Sequence, residues 1–523
     1  MLWRITRFPA DNEKILSRSK EEFRMKWRHR KKAAAVGMIT CLAAGMLSGC
    51  KEQAEINENG EEVVWLTWYQ VGDEQKDDQM VLDEVNRYTF EKIGVKVRIE
   101  KIGWSDYSQK MQIMINTDDS WDLCFTSSWT NDYLQNAQKG AYLELDEYLE
   151  KEGREMYEGI DSRFWEAAKV GGKIYGIPSE KEIGSCPMWV FTREYVDKYE
   201  IPYEEIHTLE DLEPWLKLIQ EKEPDVVPMY LTKDYSAPAY MDKIVDPIGI
   251  EYADHTLTVQ NLFETEKMMS TLRTMRKYYE AGYINKDAPL ASDNKAVKRF
   301  VTKGDGHPFA EISWGKDLGY EVVASPIMET QITNESARGA LTAINKNSRH
   351  PKEAVEFLNL VNTDEYLRNL LNYGIEGVHW SRILVEGKEA REAEGKPYVY
   401  DTKVRLNQEK KQDYSVPYWV QGGLFGTYVL ENEPVDKWAV FKEFNDASKA
   451  APSLGFDFNI EPVKAEVADF RSILDEFGKA LYTGSVDPDV YVPKLLKKLD
   501  AAGVDRVIEE MQRQVDAWKQ TKE

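Results

Sequence analysis

Residues 63–69 read Val63-Val64-Trp65-Leu66-Thr67-Trp68-Tyr69, and the stretch from there to residue 125 decides the fold. The heptapeptide is a short apolar run rich in β-branched and aromatic residues, the pattern of a buried strand. Over residues 75–92 the period changes. Val81, Val85 and Tyr88 fall on one helical face, and Gly94 supplies a stop. Residues 95–99 alternate as a second strand, 105–116 read as a helix, and 121–125 as a third short strand. This is the strand–helix–strand rhythm of a parallel α/β sheet.

Toward the C-terminus, Gly171-Gly172-Lys173-Ile174-Tyr175-Gly176-Ile177-Pro178 reads as a hairpin-like turn feeding an extended segment. Strands are expected at 188–192, 309–312, 321–324 and 341–344. Helices are expected at 194–199, 208–222, 261–281 and 351–361. Gly304-Asp305-Gly306 reads as a plain turn, and 385–415 as a polar, loop-rich stretch. Two amphipathic helices close the chain. One carries Val467, Phe470, Leu474, Phe477 and Leu481, the other Val504, Ile508, Met511, Val515 and Trp518. A chain of 523 residues is too long for one core, so two lobes and an appended element are expected.

Toward the N-terminus, residues 24–32 form the basic run RMKWRHRKK. An apolar stretch from 33 to 49 follows and ends Leu47-Ser48-Gly49-Cys50. A basic segment, a short apolar segment and small residues at the cut site define a secretory signal. The stretch is short for a membrane span and is interrupted by glycines. Met25 is an alternative start. Residues 51–60, KEQAEINENG, have no apolar period and read as a tether. Residues 1–49 carry 11 Lys+Arg and 4 Asp+Glu, so the remainder holds 57 basic and 87 acidic residues, a net of −30. Such a chain has no electrostatic affinity for nucleic acid or for an anionic membrane surface. Beyond Cys50 only Cys124 and Cys186 remain. Both read as small buried apolar residues, with a bridge between them as the alternative.

Catalytic and metal signals are poor. The six histidines are scattered, and no zincin, phosphate-loop or nucleophile-elbow motif is present. Acidic residues are too numerous for a glycosidase pair to stand out. No cofactor, metal or catalytic residue is assigned. The distinctive feature is a set of aromatics placed after expected strands: Tyr69, Trp104, Trp129, Trp314, Tyr373, Trp380, Tyr418 and Trp419. Strand carboxyl ends line the crevice of an α/β sheet. A sugar presents apolar C–H faces and a hydroxyl rim, so its site needs flat rings beside polar groups. Trp129-Thr130-Asn131-Asp132, Glu311-Ile312-Ser313-Trp314 and Glu376-Gly377-Val378-His379-Trp380 combine both. The competing expectation for each ring is ordinary core packing.

Five landmarks, taken in order, carry a resemblance. They are Leu47-Ser48-Gly49-Cys50; the loop from Tyr69 to Asp77; Gly172-Lys173-Ile174-Tyr175-Gly176-Ile177-Pro178; Ile344-Asn345-Lys346-Asn347-Ser348 with Ala354-Val355-Glu356-Phe357-Leu358-Asn359; and the tail from Pro462 to Trp518. The chain resembles the extracellular family 1 solute-binding proteins of carbohydrate ABC importers, and more narrowly the large lipoprotein subset of low-GC Gram-positive bacteria. The first landmark is similar to a lipobox, which implies cleavage before Cys50 and diacylation of its sulfur. The fold implied is a two-lobed α/β periplasmic-binding-protein-like fold of type II, with a hinge between lobes and a helical C-terminal extension.

The implied organisation is a signal peptide at 1–49 and a lipidated cysteine with tether at 50–60. The first lobe is 61–177 plus 341–384, and the second lobe is 178–340 plus 385–523. By family position, Tyr69, Gln75, Trp104, Trp129, Asp132 and Glu180 lie near the cleft on the early side. Glu311, Trp314, Tyr373, Glu376 and Trp380 follow on the later side. The implied partners are a carbohydrate, by default an oligosaccharide, and the permease subunits of an importer; peptides and sugar acids stay open as ligands. The protein is expected to act as a monomer on the outer face of the cytoplasmic membrane. A secreted carbohydrate-active enzyme and a surface sensor or adhesion lipoprotein are the alternatives.

Overall fold

The computed structural model describes residues 63–522 other than 118, 119, 183 and 185, so the expected signal peptide, Cys50 and the tether lie outside the described residues. The first sheet has the strand order Val95–Ile102, Val64–Val71, Leu123–Thr126, Leu341–Ile344, Gly176–Pro178. Its first three strands are parallel, with Val64 opposite Val95 and Trp68 opposite Leu123. Leu341–Ile344 returns antiparallel to both its neighbours. Leu66 and Trp68 point into the core, where Trp68 meets Phe357 edge-on with ring centroids 5.7 Å apart. The crossover helix Asp78–Ile93 buries Val81 and Val85 and stops at Gly94, whose left-handed φ of 71° lets its N–H reach Phe90 O.

The second sheet has the order Val322–Pro326, Cys186–Thr192, Arg299–Gly306, Val227–Met229. The helix Leu209–Lys222 covers it, opening on a capping box between Thr208 and Asp211 and burying Leu209, Leu212, Leu216 and Ile219. A third core joins the hairpin Met241–Val245/Ile248–Glu251 to the C-terminal helices Lys464–Tyr482, Pro488–Ala501 and Val504–Gln520. The helix Glu266–Glu280 fuses this unit to the second lobe. Met268 and Leu272 enter the third core, whereas Met275 and Tyr278 enter the core of the second sheet.

Among the described residues three segments run between the lobes, around 179–182, 327–340 and 448–457. The second and third pair in parallel, Gln331 opposite Lys449 and Ile332 opposite Ala450. Arg338 ties the junction together. Its guanidinium donates to Ala167 O (2.6 Å) and Lys169 O (2.7 Å) on the first lobe and bonds Asp457 at 2.6 Å. Arg163 donates to Asn445 O at 2.9 Å and also to Ser448 O.

Several expectations are corrected. Residues 310–312 belong to the helix Ala310–Leu318, with Phe309 as its N-cap, and the strand is Arg299–Gly306, which includes the expected turn at 304–306. Trp314 lies on those glycines; a Cβ on Gly306 would stand 2.5 Å from its ring, so the strand needs glycine there. The stretch 385–415 contains the helix Gly387–Ala393 and the strand Thr402–Leu406. The tail has three helices rather than two.

The segment 402–430, placed with the second lobe on sequence grounds, packs on the first. The buried Arg368 donates to Gly423 O and Tyr418 O, each at 2.7 Å, and Tyr414 Oη donates to Leu371 O at 2.8 Å. Cys124 and Cys186 are free thiols, both buried, so no bridge joins them. No helix among the described residues is long and apolar enough to cross a membrane.

Candidate ligand-binding site

Three tryptophans converge at the carboxyl ends of the first-lobe strands. Trp104 follows Val95–Ile102, Trp129 sits in the turn after Leu123–Thr126, and Trp419 arrives on the short 3-10 turn Tyr418–Val420. The Trp104 and Trp129 rings are stacked, 20° from parallel with centroids 6.2 Å apart. Trp419 tilts against both at 6.0 and 5.8 Å, and Phe125 lies 5.8 Å from Trp129. Trp104 is 46% and Trp129 52% exposed. Large rings clustered yet half in water form an exposed apolar patch bordered by polar groups, the signature of a binding surface.

The turn carrying Trp129 is held rigidly. Ser127 N and Oγ both donate to Thr130 O, at 3.0 and 3.1 Å. Asn131 adopts a left-handed φ of 50°, which asparagine tolerates, and its Nδ2 donates to Phe125 O at 3.0 Å. Thr126 Oγ1 and Asn136 Nδ2 donate to Asn131 O at 2.7 and 2.9 Å. The Trp129 indole N–H donates to Gly339 O at 2.8 Å, anchoring the ring to a crossing segment between the lobes.

The residues singled out in sequence separate into three groups. Trp104 and Trp129 meet, with Tyr69 half-buried in the core beneath them and Asp132 capping the helix Tyr133–Gln138 through Gln135 N. Gln75 lies in the loop after Val64–Val71, its Nε2 donating to Asp73 O. Glu180 lies on the first crossing. It is buried, its Oε1 has no hydrogen-bond partner, and burial pushes its carboxyl up to about 8, with Lys442 opposing. The second group, Glu311 and Trp314, is on the second-lobe helix Ala310–Leu318; Trp314 borders a separate cavity of about 290 Å³ with Tyr230, Tyr235 and Arg299.

The third group packs elsewhere. Trp380 is buried against Tyr428, its indole donating to Gly374 O at 2.9 Å. Tyr373 Oη donates to Tyr428 O at 2.6 Å, and Glu376 pairs with Arg382. Trp380 and Tyr373 serve a small satellite core, and Glu376 a surface ion pair, rather than the tryptophan surface. Trp419 is the ring that sequence reasoning named among the loop aromatics without carrying it into the site. Its partners lie hundreds of residues away, and only the adjacent Tyr418-Trp419 pair after Pro417 marks it.

Two α/β lobes joined by crossing segments, with a rigid aromatic surface beside the junction, define a two-lobed ligand-binding protein. The chain belongs to the bacterial extracellular solute-binding protein family, which it matches over residues 71–367. Residues 452–520 match a domain of unknown function (DUF3502), which here is the three-helix C-terminal unit. A carbohydrate ABC transporter substrate-binding protein of Streptococcus pneumoniae is 32% identical over 507 residues, covering 94% of this chain and 99% of its own length. Lipoprotein LipO of Bacillus subtilis is 24% identical over 284 residues, covering 52% of this chain and 54% of its own. The crystal structure of an N-glycan transport solute-binding protein (NgtS) from Streptococcus pneumoniae aligns with a TM-score of 0.75 at 31% identity, over 88% of this chain and 100% of that one. Structures of the same protein in complex with Man1GlcNAc and Man5GlcNAc align at 0.62 and 0.59. The S. pneumoniae relatives are binding components of transporters, not enzymes.

Proposed function

We propose that this protein captures an oligosaccharide of the mannose and N-acetylglucosamine type on the Trp104–Trp129–Trp419 surface, encloses it between the two lobes and delivers it to an ABC importer. The observation that carries this reading is the tryptophan cluster itself: three rings packed together, Trp129 on a rigid turn, two of them about half exposed. Pyranose C–H faces stack on such rings, and hydroxyls bond the polar groups around them. Support for the ligand class comes from the S. pneumoniae relative, whose structures hold Man1GlcNAc and Man5GlcNAc. A ligand that touches both lobes favours their closed arrangement by its differential affinity.

We infer that Cys50 carries a lipid, that the protein faces outward from the cytoplasmic membrane, and that it works as a monomer with permease subunits as partners. The Leu47-Ser48-Gly49-Cys50 sequence and the likeness to a lipoprotein support the anchor. The lobe boundaries proposed are those of the two sheets, with 402–430 attached to the first lobe. Calorimetric titration of the protein with Man1GlcNAc and Man5GlcNAc tests the ligand. Saturable heat without change in the recovered glycan is expected; hydrolysed glycan, or no heat with either, contradicts the reading.

A further inference from the structure

Next to the tryptophan surface lies a second concavity of about 480 Å³. It is built from the first lobe and the C-terminal unit: Asp132 from the first lobe, Lys243 from the hairpin of the third core and Tyr252 just after it, Asn334 from the return crossing, and Phe456 and Asp457 from the linker to the C-terminal helices. Residues 128–132 form the shared wall. Ser128 borders the groove, its N–H donating to Arg338 O at 2.8 Å, while the neighbouring Trp129 belongs to the aromatic cluster.

The chemistry of the groove matches a sugar. Tyr252 supplies a half-buried ring, and the exposed Asp132 and Glu335 supply acceptors. Asp457 is the most telling group. Its side chain is 10% exposed; one oxygen bonds Arg338 at 2.6 Å, but Oδ2 is buried with no partner. Buried acceptors are normally satisfied, so this atom is set to receive a donor. Four carboxylates border the groove, Asp132, Asp242, Glu335 and Asp457, against two cations, and Arg338 is already engaged. A neutral hydroxyl-bearing unit fits this balance, whereas a uronic or sialic acid is repelled.

We propose that this groove is a second glycan subsite, which holds a neutral outer arm of an extended or branched oligosaccharide whose first units stack on Trp104 and Trp129. This assignment rests on the glycan reading given above. Because the groove is walled by the first lobe and by the hairpin and linker of the C-terminal unit, it gives that unit a part in selecting long ligands over short ones.

Calorimetric titration of the full secreted chain with Man1GlcNAc and Man5GlcNAc, for the wild type, Tyr252→Ala and Lys243→Trp, tests the subsite. Lys243 is an exposed strand residue, so the bulky ring fills the groove without entering a core. Wild type is expected to bind Man5GlcNAc at least tenfold more tightly than Man1GlcNAc. Both variants should lose that advantage and keep Man1GlcNAc affinity within twofold. Equal wild-type affinity for the two glycans, or variants that weaken both alike or neither, overturns the subsite while leaving the tryptophan site standing. Wild type that binds neither glycan overturns the ligand reading, and the subsite with it.

Discussion

Replacing Trp129 with alanine removes the most exposed ring of the cluster. A tryptophan offers about 200 Å² of surface, and Trp129 is 52% exposed, so about 100 Å² awaits a ligand. A pyranose covers one face and part of an edge. At about 25 cal/mol per Å², the lost contact is about 1.5–2.5 kcal/mol. That is roughly a 10–60-fold rise in Kd, at 1.4 kcal/mol per factor of ten. The same change deletes the indole bond to Gly339 O, at a cost of about 1 kcal/mol in stability. Trp129→Phe separates the two effects, since it keeps a stacking ring and loses only the N–H donor. Calorimetric titration with Man1GlcNAc, beside thermal melting of each variant, reads both. Trp129→Ala should weaken binding by the stated factor, and Trp129→Phe should recover most of it while melting like the alanine variant. Affinity for Trp129→Ala within twofold of wild type would show that ligand does not touch this ring.

Glu180 titrates inside the fold, with its carboxyl raised from 4.5 to about 8 by burial. The native state therefore binds a proton more readily than the unfolded chain, and stability falls as pH rises from about 4.5 to 8, by at most about 5 kcal/mol. Glu180→Gln should flatten that slope in urea unfolding measured at several pH values; an unchanged slope contradicts it. Arg338→Ala strands the buried Asp457 and two backbone carbonyls, so urea unfolding should show a loss of about 3–5 kcal/mol, and a loss below 1 kcal/mol would show the junction is held elsewhere. Cys50→Ala should move the protein from the membrane fraction to the medium with unchanged glycan affinity, and continued membrane retention contradicts the anchor.

The first lobe is readable in sequence because its signals are local. Val64–Val71 is an apolar run, Val81 and Val85 recur at helical spacing, and Gly94 stops the helix where a left-handed residue is required. The strand Arg299–Gly306 is not readable, since Gly304 and Gly306 look like turn residues and their reason, the Trp314 ring, comes from a later helix. The site follows the same division. A tryptophan after a strand is visible, which marks Trp104 and Trp129. Whether a ring faces water depends on partners far along the chain. Trp380 and Tyr373 look equivalent to them but are covered by Tyr428, and Trp419 reaches the cluster because Arg368 grips the backbone at Tyr418 and Gly423.

Enclosure of a glycan between two lobes is tested most directly by small-angle X-ray scattering of the secreted chain, alone and with saturating Man5GlcNAc. A two-lobed capture protein should become measurably more compact on adding glycan, saturating at one glycan per chain, and Trp104→Ala combined with Trp129→Ala should abolish the change. Scattering that stays the same at glycan concentrations where calorimetry shows full binding would contradict capture between the lobes.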